Sequence, residues 1–283
     1  MPVRIVQSKQ NARLKQLRRA LAHPLSESNR EGRLLVGIEG PNLLFEALHA
    51  GLRIDCLFAA ERTEHLLETI PLPRETEILL LPSDVLNSAL STESPQPVAA
   101  LIEPPDWTWD HLISTARRTA PLLLVLAGIQ DPGNLGTILR SAEAFGADGV
   151  ICLPGTVSAW NPKAVRASAG SIFRLPLQAT SESACFDRLR VAGIRIFTSA
   201  VRGVAQPADL VDLAEPLALL IGNEGNGVPA ELARQANGAI TIPCPGPVES
   251  LNASIAASVL LYEASRQRFL RSASPANHRG IQQ

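Results

Sequence analysis

Apolar residues recur along this chain in two alternating rhythms. Leu14, Leu17 and Leu21 fall three and four positions apart with cations between them, which predicts a basic amphipathic helix over 11–22. Short apolar runs and helical periods then alternate. Strands are expected over 34–38, 54–59, 78–81 and 98–102, and helices over 41–50, 63–69 and 83–89. Pro41 opens the second helix and Gly51 stops it. Residues 1–103 therefore read as a small α/β domain. Glu103-Pro104-Pro105-Asp106-Trp107 begins a linker or short connecting helix over 104–119.

From residue 120 the signals sharpen. The run 122–127 is continuously apolar, as in a parallel strand covered on both faces. A Gly-rich turn over 128–136 opens a helix that buries Leu135, Ile138, Leu139, Ala142 and Gly146, with Arg140 well off that stripe. Strands over 149–153, 173–177, 194–199 and 217–221 and helices over 162–169 and 183–192 continue the βα alternation. Behind the last of these strands stands Gly222-Asn223-Glu224-Gly225-Asn226-Gly227, then a short helix from Pro229. A strand over 239–242 ends in a loop dense with Pro and Gly. That loop carries Glu249, Ser250 and Asn252 to the mouth of an Ala-rich helix over 251–268, with Ser250 as its expected N-cap. Residues 271–283 read as a flexible tail.

The chain has 283 residues, 46% of them hydrophobic and 19% charged, enough for two packed domains. No apolar run reaches the length of a membrane span and Met1-Pro2-Val3-Arg4 has no apolar signal core, so a soluble cytoplasmic protein is expected. Cys56, Cys152, Cys185 and Cys244 lack metal-ligand spacing and are expected to be reduced and mostly buried; no metal is expected. Net charge is −1, yet Arg4, Lys9, Arg13, Lys15, Arg18, Arg19, Arg30 and Arg33 stand against only Glu27 and Glu31 in the first 33 residues. That is the footprint of phosphate contacts, with a solvated helix face as the plain alternative.

Strand, Gly-rich loop, helix is a geometry that brings backbone N–H groups to a ligand, and it occurs three times in the second half. Neither G-x-G-x-x-G nor G-K-[ST] is present, no His accompanies a Ser or Cys nucleophile, and no metal-ligand cluster occurs. The polar inventory is Asn134, Arg140, Glu224, Glu249, Ser250 and Asn252, which lacks a base for ordinary hydrolysis at neutral pH.

Three stretches carry a resemblance: Asp131-Pro132-Gly133-Asn134-Leu135-Gly136-Thr137-Ile138-Leu139-Arg140-Ser141-Ala142, then Ile221-Gly222-Asn223-Glu224-Gly225-Asn226-Gly227, then Ile242-Pro243 with Val248-Glu249-Ser250-Leu251-Asn252. In order and spacing they resemble the motifs of the SpoU/TrmH family of SPOUT-class RNA 2′-O-ribose methyltransferases, over roughly 120–268. The first hundred residues are similar, more weakly, to that family's N-terminal substrate-binding domain. The resemblance implies an α/β trefoil-knot methyltransferase domain over 120–270, preceded by an L30e-like α/β RNA-binding domain. It implies S-adenosyl-L-methionine as cofactor, held by Thr198, Ser199, Ala200, Ile221, Gly222, Ile242 and Leu251, and a homodimer formed through the C-terminal domain. The small-residue faces Ala164, Ala167, Ala169 and Ala253, Ala256, Ala257 agree with close helix packing in a dimer, and equally with a monomeric core.

Carried over to this chain, Arg140 matches the family's proposed catalytic arginine, with Asn134, Glu224, Ser250 and Asn252 positioning the ribose. An arginine stays protonated, which favours orienting the hydroxyl through its phosphate over acting as a base. Lys9, Arg13, Lys15, Arg18, Arg19, Arg30 and Arg33 would contact RNA, with 23S-type rRNA favoured over tRNA. The rival reading is a non-catalytic RNA-binding protein that keeps the fold. Cys244, where an apolar residue is usual, Pro245 and Pro247 beside it, and Pro97, where Gly is common, depart from the pattern.

Overall fold

The computed structural model describes residues 3–61, 63, 69–74, 76–90, 92–113, 120–200 and 205–273. Contacts divide the chain into two compact units, Met1–Asp106 with Ser158–Arg174 and Trp107–Val157 with Leu175–Gln283. Both are α/β. Among the described residues no helix is long and apolar enough to cross a membrane.

The first unit is built on a mixed sheet of six strands in the order β1-β5-β4-β6-β3-β2. These are β1 (Val3–Ile5), β2 (Glu27–Ser28), β3 (Leu34–Glu39), β4 (Ile54–Ala60), β5 (Glu77–Leu81) and β6 (Val98–Ile102). β5 runs parallel to β1 and β4, whereas β6 is antiparallel to β3 and β4. The helix Ala12–Ala22 starts where Asn11 Oδ1 accepts from the Arg13 and Leu14 amides, and it buries Leu14, Leu17, Ala20 and Leu21 against the sheet. The helix expected over 63–69 lies almost wholly outside the described residues. β1 escapes sequence reading because it is three exposed residues on a sheet edge, too short to show a period.

The fold changes the meaning of the basic N-terminal stretch. Arg13 reaches Asp55 at 2.9 Å and Glu77 at 3.0 Å, Arg19 holds Glu27 at 2.6 Å, Arg33 holds Glu103 at 2.9 Å, and Lys9 stands 3.4 Å from Asp84. Burial works to lower the Arg13 pKa, and the carboxylates of Asp55 and Glu77 more than reverse it, so this guanidinium is a structural cation. Arg18 points to Ser88 Oγ at 3.4 Å. Several of the cations that look free in the sequence are thus answered by acids from distant strands and loops.

The second unit is a parallel sheet of seven strands: β7 (Leu122–Ala127), β8 (Gly149–Cys152), β9 (Leu177–Ala179), β10 (Arg195–Ser199), β11 (Gln206–Pro207), β12 (Leu217–Gly222) and β13 (Gly238–Thr241). Their order is β11-β13-β10-β12-β7-β8-β9, so the chain steps outward through β8 and β9 and then returns. β12 is inserted between β7 and β10, and β13 between β10 and β11. Every residue of β7 and β12 is buried, as the continuous apolar runs require of central parallel strands.

Four expectations are corrected. The run 173–177 is not a strand: Ser171–Phe173 forms a 3₁₀ turn in which Phe173 stacks on Trp160 at 6.2 Å, and β9 starts only at Leu177. A short apolar run between Gly and Pro reads alike in either state. The helix Pro132–Ala144 ends before Gly146, which takes a φ of +74° beyond the C-cap and is half-buried rather than part of the core stripe. The last helix spans Ala253–Ala273, and its cap is Asn252, not Ser250. Asn252 Oδ1 accepts from the Ser254 amide at 2.9 Å, the Ile255 amide at 3.4 Å and the Ser254 hydroxyl at 2.6 Å. The tail beyond residue 273 lies outside the described residues.

Gln267 fastens that helix to the segment before β12. The Leu213 amide donates to its Oε1 at 2.8 Å, and its Nε2 donates to the Val211 carbonyl at 3.1 Å. Arg268 adds a contact to the Glu215 carbonyl at 2.7 Å. Gln267→Ala leaves those half-buried backbone groups without partners and is expected to cost about 1–3 kcal/mol in a urea unfolding curve. Arg234→Ala, at an exposed pair with Glu231 3.9 Å away, is expected to stay within about 0.5 kcal/mol of the parent.

Candidate functional site

The carboxyl ends of β10, β12 and β13 open together into a cavity of about 930 Å³. That is the end at which open α/β sheets offer loops to ligands, and the size suits a compact cofactor. All seven positions expected to hold a cofactor line it: Thr198, Ser199 and Ala200 beyond β10, Ile221 and Gly222 at the end of β12, and Ile242 and Leu251 beyond β13. Val228, Ala253, Ala256 and Leu260 complete its apolar wall. Ala256 and Leu260 escaped sequence reading because the Ala253–Ala273 helix buries one face and turns these residues of its first two turns to the cavity. A spacing of three and four from Ala253 was the signal for it.

Two local devices shape the cavity. The loop after β12 doubles back as a hairpin, with the Asn223 amide donating to the Gly227 carbonyl at 3.0 Å and the Gly227 amide donating to the Asn223 carbonyl at 2.8 Å. Asn223 Oδ1 also accepts from the Gly225 and Asn226 amides, at 2.8 and 3.3 Å. The doubled chain lies so near the end of the strand that a Cβ on Gly222 would sit 2.1 Å from the Gly227 carbonyl carbon. Only glycine fits. The second device is a tie to the loop after β7, where Asn223 Nδ2 donates to the Gly128 carbonyl at 2.8 Å. The Gly128 amide in turn donates to Thr156 Oγ1 at 3.1 Å, a contact no sequence pattern announced.

On the cavity floor Thr198 is 4% exposed, and its hydroxyl has no hydrogen-bond partner among the described residues. A buried hydroxyl left so costs a kilocalorie or more unless a ligand answers it. Ser199, Asn223, Glu224, Thr241 and Ser250 line the cavity among its apolar residues, which suits a ligand with several polar atoms on an apolar frame.

Three of the five proposed catalytic positions meet. Asn134 Nδ2 donates to Glu224 Oε1 at 2.7 Å, and Asn252 Nδ2 donates to Asn134 Oδ1 at 3.1 Å. The Asn134 backbone amide in turn donates to Asp131 Oδ1 at 2.9 Å, at the start of the Pro132–Ala144 helix. Each of the three motif loops so contributes one member to a single chain of side-chain hydrogen bonds. Glu224 and Ser250 line the cavity as well. Arg140 does neither: it is exposed on the Pro132–Ala144 helix, outside both the cavity lining and the hydrogen-bonded chain.

With this geometry in view, residues 121–262 match the model of the SpoU rRNA methylase family. The chain belongs to that family. It is 34% identical to the Bacillus subtilis 23S rRNA (guanosine(2553)-2′-O)-methyltransferase RlmP, over 80% of this chain and 86% of that protein. Among solved structures it resembles an AdoMet-bound rRNA methyltransferase from Sinorhizobium meliloti, with a TM-score of 0.78 and 30% identity, covering 93% of this chain and 98% of that one. The SpoU methyltransferase AviRb from Streptomyces viridochromogenes, in complex with AdoMet, matches with the same score and identity over 92% and 99%. The protein is accordingly an RNA methyltransferase of the SpoU family, with the α/β fold of those structures.

Gly222→Ala tests the close approach that forms the cavity wall. The methyl group would overlap backbone rather than a side chain that could swing away, so the hairpin over 223–227 must open. The variant is expected to lose cofactor affinity by at least about tenfold in calorimetric titration. Ala218→Gly on the same strand but remote from the cavity is the control for sheet destabilisation alone.

Proposed function

We propose that this enzyme methylates a ribose 2′-hydroxyl of structured RNA, with 23S-type rRNA its substrate rather than tRNA. The observation that carries this reading is the Asn252–Asn134–Glu224 chain at the edge of the cavity, which gathers one residue from each of the three motifs. The likeness to RlmP over most of both chains supports the rRNA preference. The methyl donor is S-adenosylmethionine, which when bound supplies an electrophilic methyl carbon on a sulfonium. Thr198, Ser199, Ala200, Ile221, Gly222, Ile242 and Leu251 would hold it.

The chain's own groups supply position and charge. The carboxamides of Asn134 and Asn252 are locked in orientation by their mutual bond and by Glu224, and so present fixed donors and acceptors to a ribose. Ser250 adds a hydroxyl on the cavity rim. Arg140 keeps its charge throughout and serves by holding the phosphate beside the reacting hydroxyl, which orients that hydroxyl and steadies the charge it develops.

Several further features belong to the same proposal. Residues 120–270 form a trefoil-knotted SPOUT domain, which the late insertion of β12 and β13 between earlier strands supports. Residues 1–103 form an L30e-like RNA-binding domain, with 104–119 as linker, in a cytoplasmic protein. The enzyme is a homodimer through the C-terminal domain. The support here is not the small-residue faces: Ala164, Ala253 and Ala257 are buried within their own chain. It is instead the exposed apolar row Ile255, Val259 and Tyr262, at helical spacing of four and three. This row neighbours the Arg140 helix, through Ser258 Oγ to Ser141 Oγ at 2.7 Å and Tyr262 against Phe145 at 5.8 Å.

The deciding experiment is transfer of labelled methyl to separately purified unmodified rRNA and tRNA, with Arg140→Ala beside the parent. Label in rRNA as an alkali-resistant dinucleotide, lowered by about 10²-fold or more in the variant while cofactor binding persists, is the expected result. Label confined to tRNA would overturn the substrate reading, and tight binding of both ligands without transfer would favour the non-catalytic RNA binder. For the N-terminal unit, Lys15→Ala with Arg30→Ala is expected to weaken RNA binding and flatten its salt dependence. Arg13→Ala is expected mainly to lower stability, since it takes the cation from Asp55 and leaves Glu77 only Arg4 at 3.4 Å. Filter binding at two salt concentrations and a melting curve separate the two.

A further inference from the structure

The first unit holds a cavity of its own, of about 570 Å³, at the head of the Pro41–His49 helix. Its lining joins the end of β3 to that helix's first turn, to Gln96, and to Arg166 and Ala169 of the Ser158–Arg174 segment, which packs in the same unit. It shares no residue with the cavity of the second unit.

Glu39, the last residue of β3, is only 5% exposed, and the two oxygens of its carboxylate are treated differently. Oε1 accepts from the Thr92 hydroxyl and, at 3.0 Å, from the backbone amide of Gln96. Those two bonds occupy the lone pairs of Oε1. Oε2 has no partner among the described residues, yet it is not one of the buried oxygens closed off from water there. A nearly buried carboxylate with half its accepting capacity unused is costly unless a donor answers it. Glu39 and the Gln96 that holds it both line the cavity, so the donor arrives through the cavity.

The rest of the lining narrows the kind of donor. Gly40 caps the helix at a φ of +102° without a side-chain hydrogen bond, so the Asn42 and Leu43 amides of the first turn have no acceptor within the helix. Pro41 and Leu43 add apolar surface, and Arg166 is an exposed cation on the rim with no acidic partner among the described residues. An acceptor beside donors, apolar surface and a cation match the edge, the faces and the phosphate of a nucleotide. The edge distinguishes the bases. Guanine offers two adjacent donors, N1–H and the N2 amino group, beside one acceptor, O6. The amino groups of adenine and cytosine adjoin an acceptor ring nitrogen, and the N3–H of uracil stands between two carbonyls. A carboxylate repels each of those acceptors.

We propose that this cavity receives one unpaired guanine base of the substrate RNA, with Glu39 Oε2 accepting from its N1–H and N2 amino edge and Arg166 meeting a phosphate beside it. The base is unpaired because pairing would occupy the same edge. The proposal rests on the reading of the first unit as RNA-binding.

The test uses the full chain and short oligouridines of equal length with one central guanosine, inosine, adenosine or cytidine, followed by fluorescence anisotropy. The guanosine oligomer is expected to bind at least about tenfold more tightly than the adenosine, cytidine and all-uridine ones, with inosine, which lacks the N2 amino group, between them. Glu39→Gln keeps an oxygen for Thr92 and Gln96 and turns the free position from acceptor to donor. It is expected to bring the guanosine preference within about twofold while S-adenosylmethionine affinity stays unchanged. Arg166→Ala is expected to weaken all the oligomers alike and to flatten their salt dependence. Equal binding of every oligomer by the parent overturns the proposal, and so does a guanosine preference that survives in Glu39→Gln. Should Glu39→Gln fail to fold, photocrosslinking of a thioguanosine oligomer to the parent decides. Crosslinks within residues 39–46 or 166–169 are expected, and crosslinks confined to other residues overturn the proposal. If the parent binds neither the oligomers nor unmodified rRNA on filters, the reading of the first unit as RNA-binding fails as well. Tight rRNA binding without a guanosine preference removes the guanine site alone.

Discussion

One carboxamide holds the site together. Asn223 donates to the Gly128 carbonyl on the loop after β7 and accepts from two amides of its own loop after β12. It therefore fixes the distance between the first and second motif loops, and with it the span from Asn134 to Glu224. The constraint works only because β12 lies directly against β7, and that neighbourhood exists only because the chain returns to fill a gap left in the sheet. Gly222 is the covalent counterpart of the same constraint. The hairpin can fold back against the strand end only where no Cβ intervenes. Asn223 thus acts as a brace, while the neighbouring Glu224 faces the cavity and the Asn134 amide.

The second half of the chain was largely legible in the sequence, for a physical reason. Central parallel strands are buried on both faces, so β7 and β12 appear as unbroken apolar runs whose limits hardly depend on context. The cavity lining was legible for another reason: its residues sit where strands end, and strand ends are marked by Gly, Pro and Asn. Fine assignments at helix starts were less so. Ser250 and Asn252 are both good caps by residue type, and the choice between them depends on where the Pro-rich loop releases the chain. Asn252 takes that place, and its Oδ1 is engaged at the helix start while its Nδ2 reaches Asn134. A cap and a member of the polar chain are one residue, which no spacing rule separates.

Charge was the least legible property. A count along residues 1–33 sees a basic segment, but Coulomb interactions follow distance in the fold and not in the sequence. Asp55, Glu77, Asp84 and Glu103 come from far along the chain to meet Arg13, Lys9 and Arg33. The proposed phosphate contacts would then fall to cations outside these pairs. These acids, with Glu27 gripping Arg19 through both its carboxylate oxygens, give the unit a well-defined arrangement of arginines that a loose basic tail would lack.

Arg140 stands exposed and outside the cavity lining. The Pro132–Ala144 helix carries Asn134 at its first turn and Arg140 nearly two turns later, so one rigid element spans from the hydrogen-bonded chain to an outward-facing cation. Its neighbour, the Ala253–Ala273 helix, likewise turns Ala256 and Leu260 to the cavity and Ile255, Val259 and Tyr262 outward. The Ala253–Ala273 helix therefore joins the cavity wall to an exposed face, and the Pro132–Ala144 helix packs beside it. An exposed apolar row is poorly satisfied by water, and an arginine binds a phosphate more strongly in a partly desolvated setting. In the proposed dimer, covering the row would also shield part of the neighbouring helix that carries Arg140. If the proposed dimer and the proposed role of Arg140 hold, assembly and catalysis would be linked through two helices whose first turns are tied together by Asn134 and Asn252.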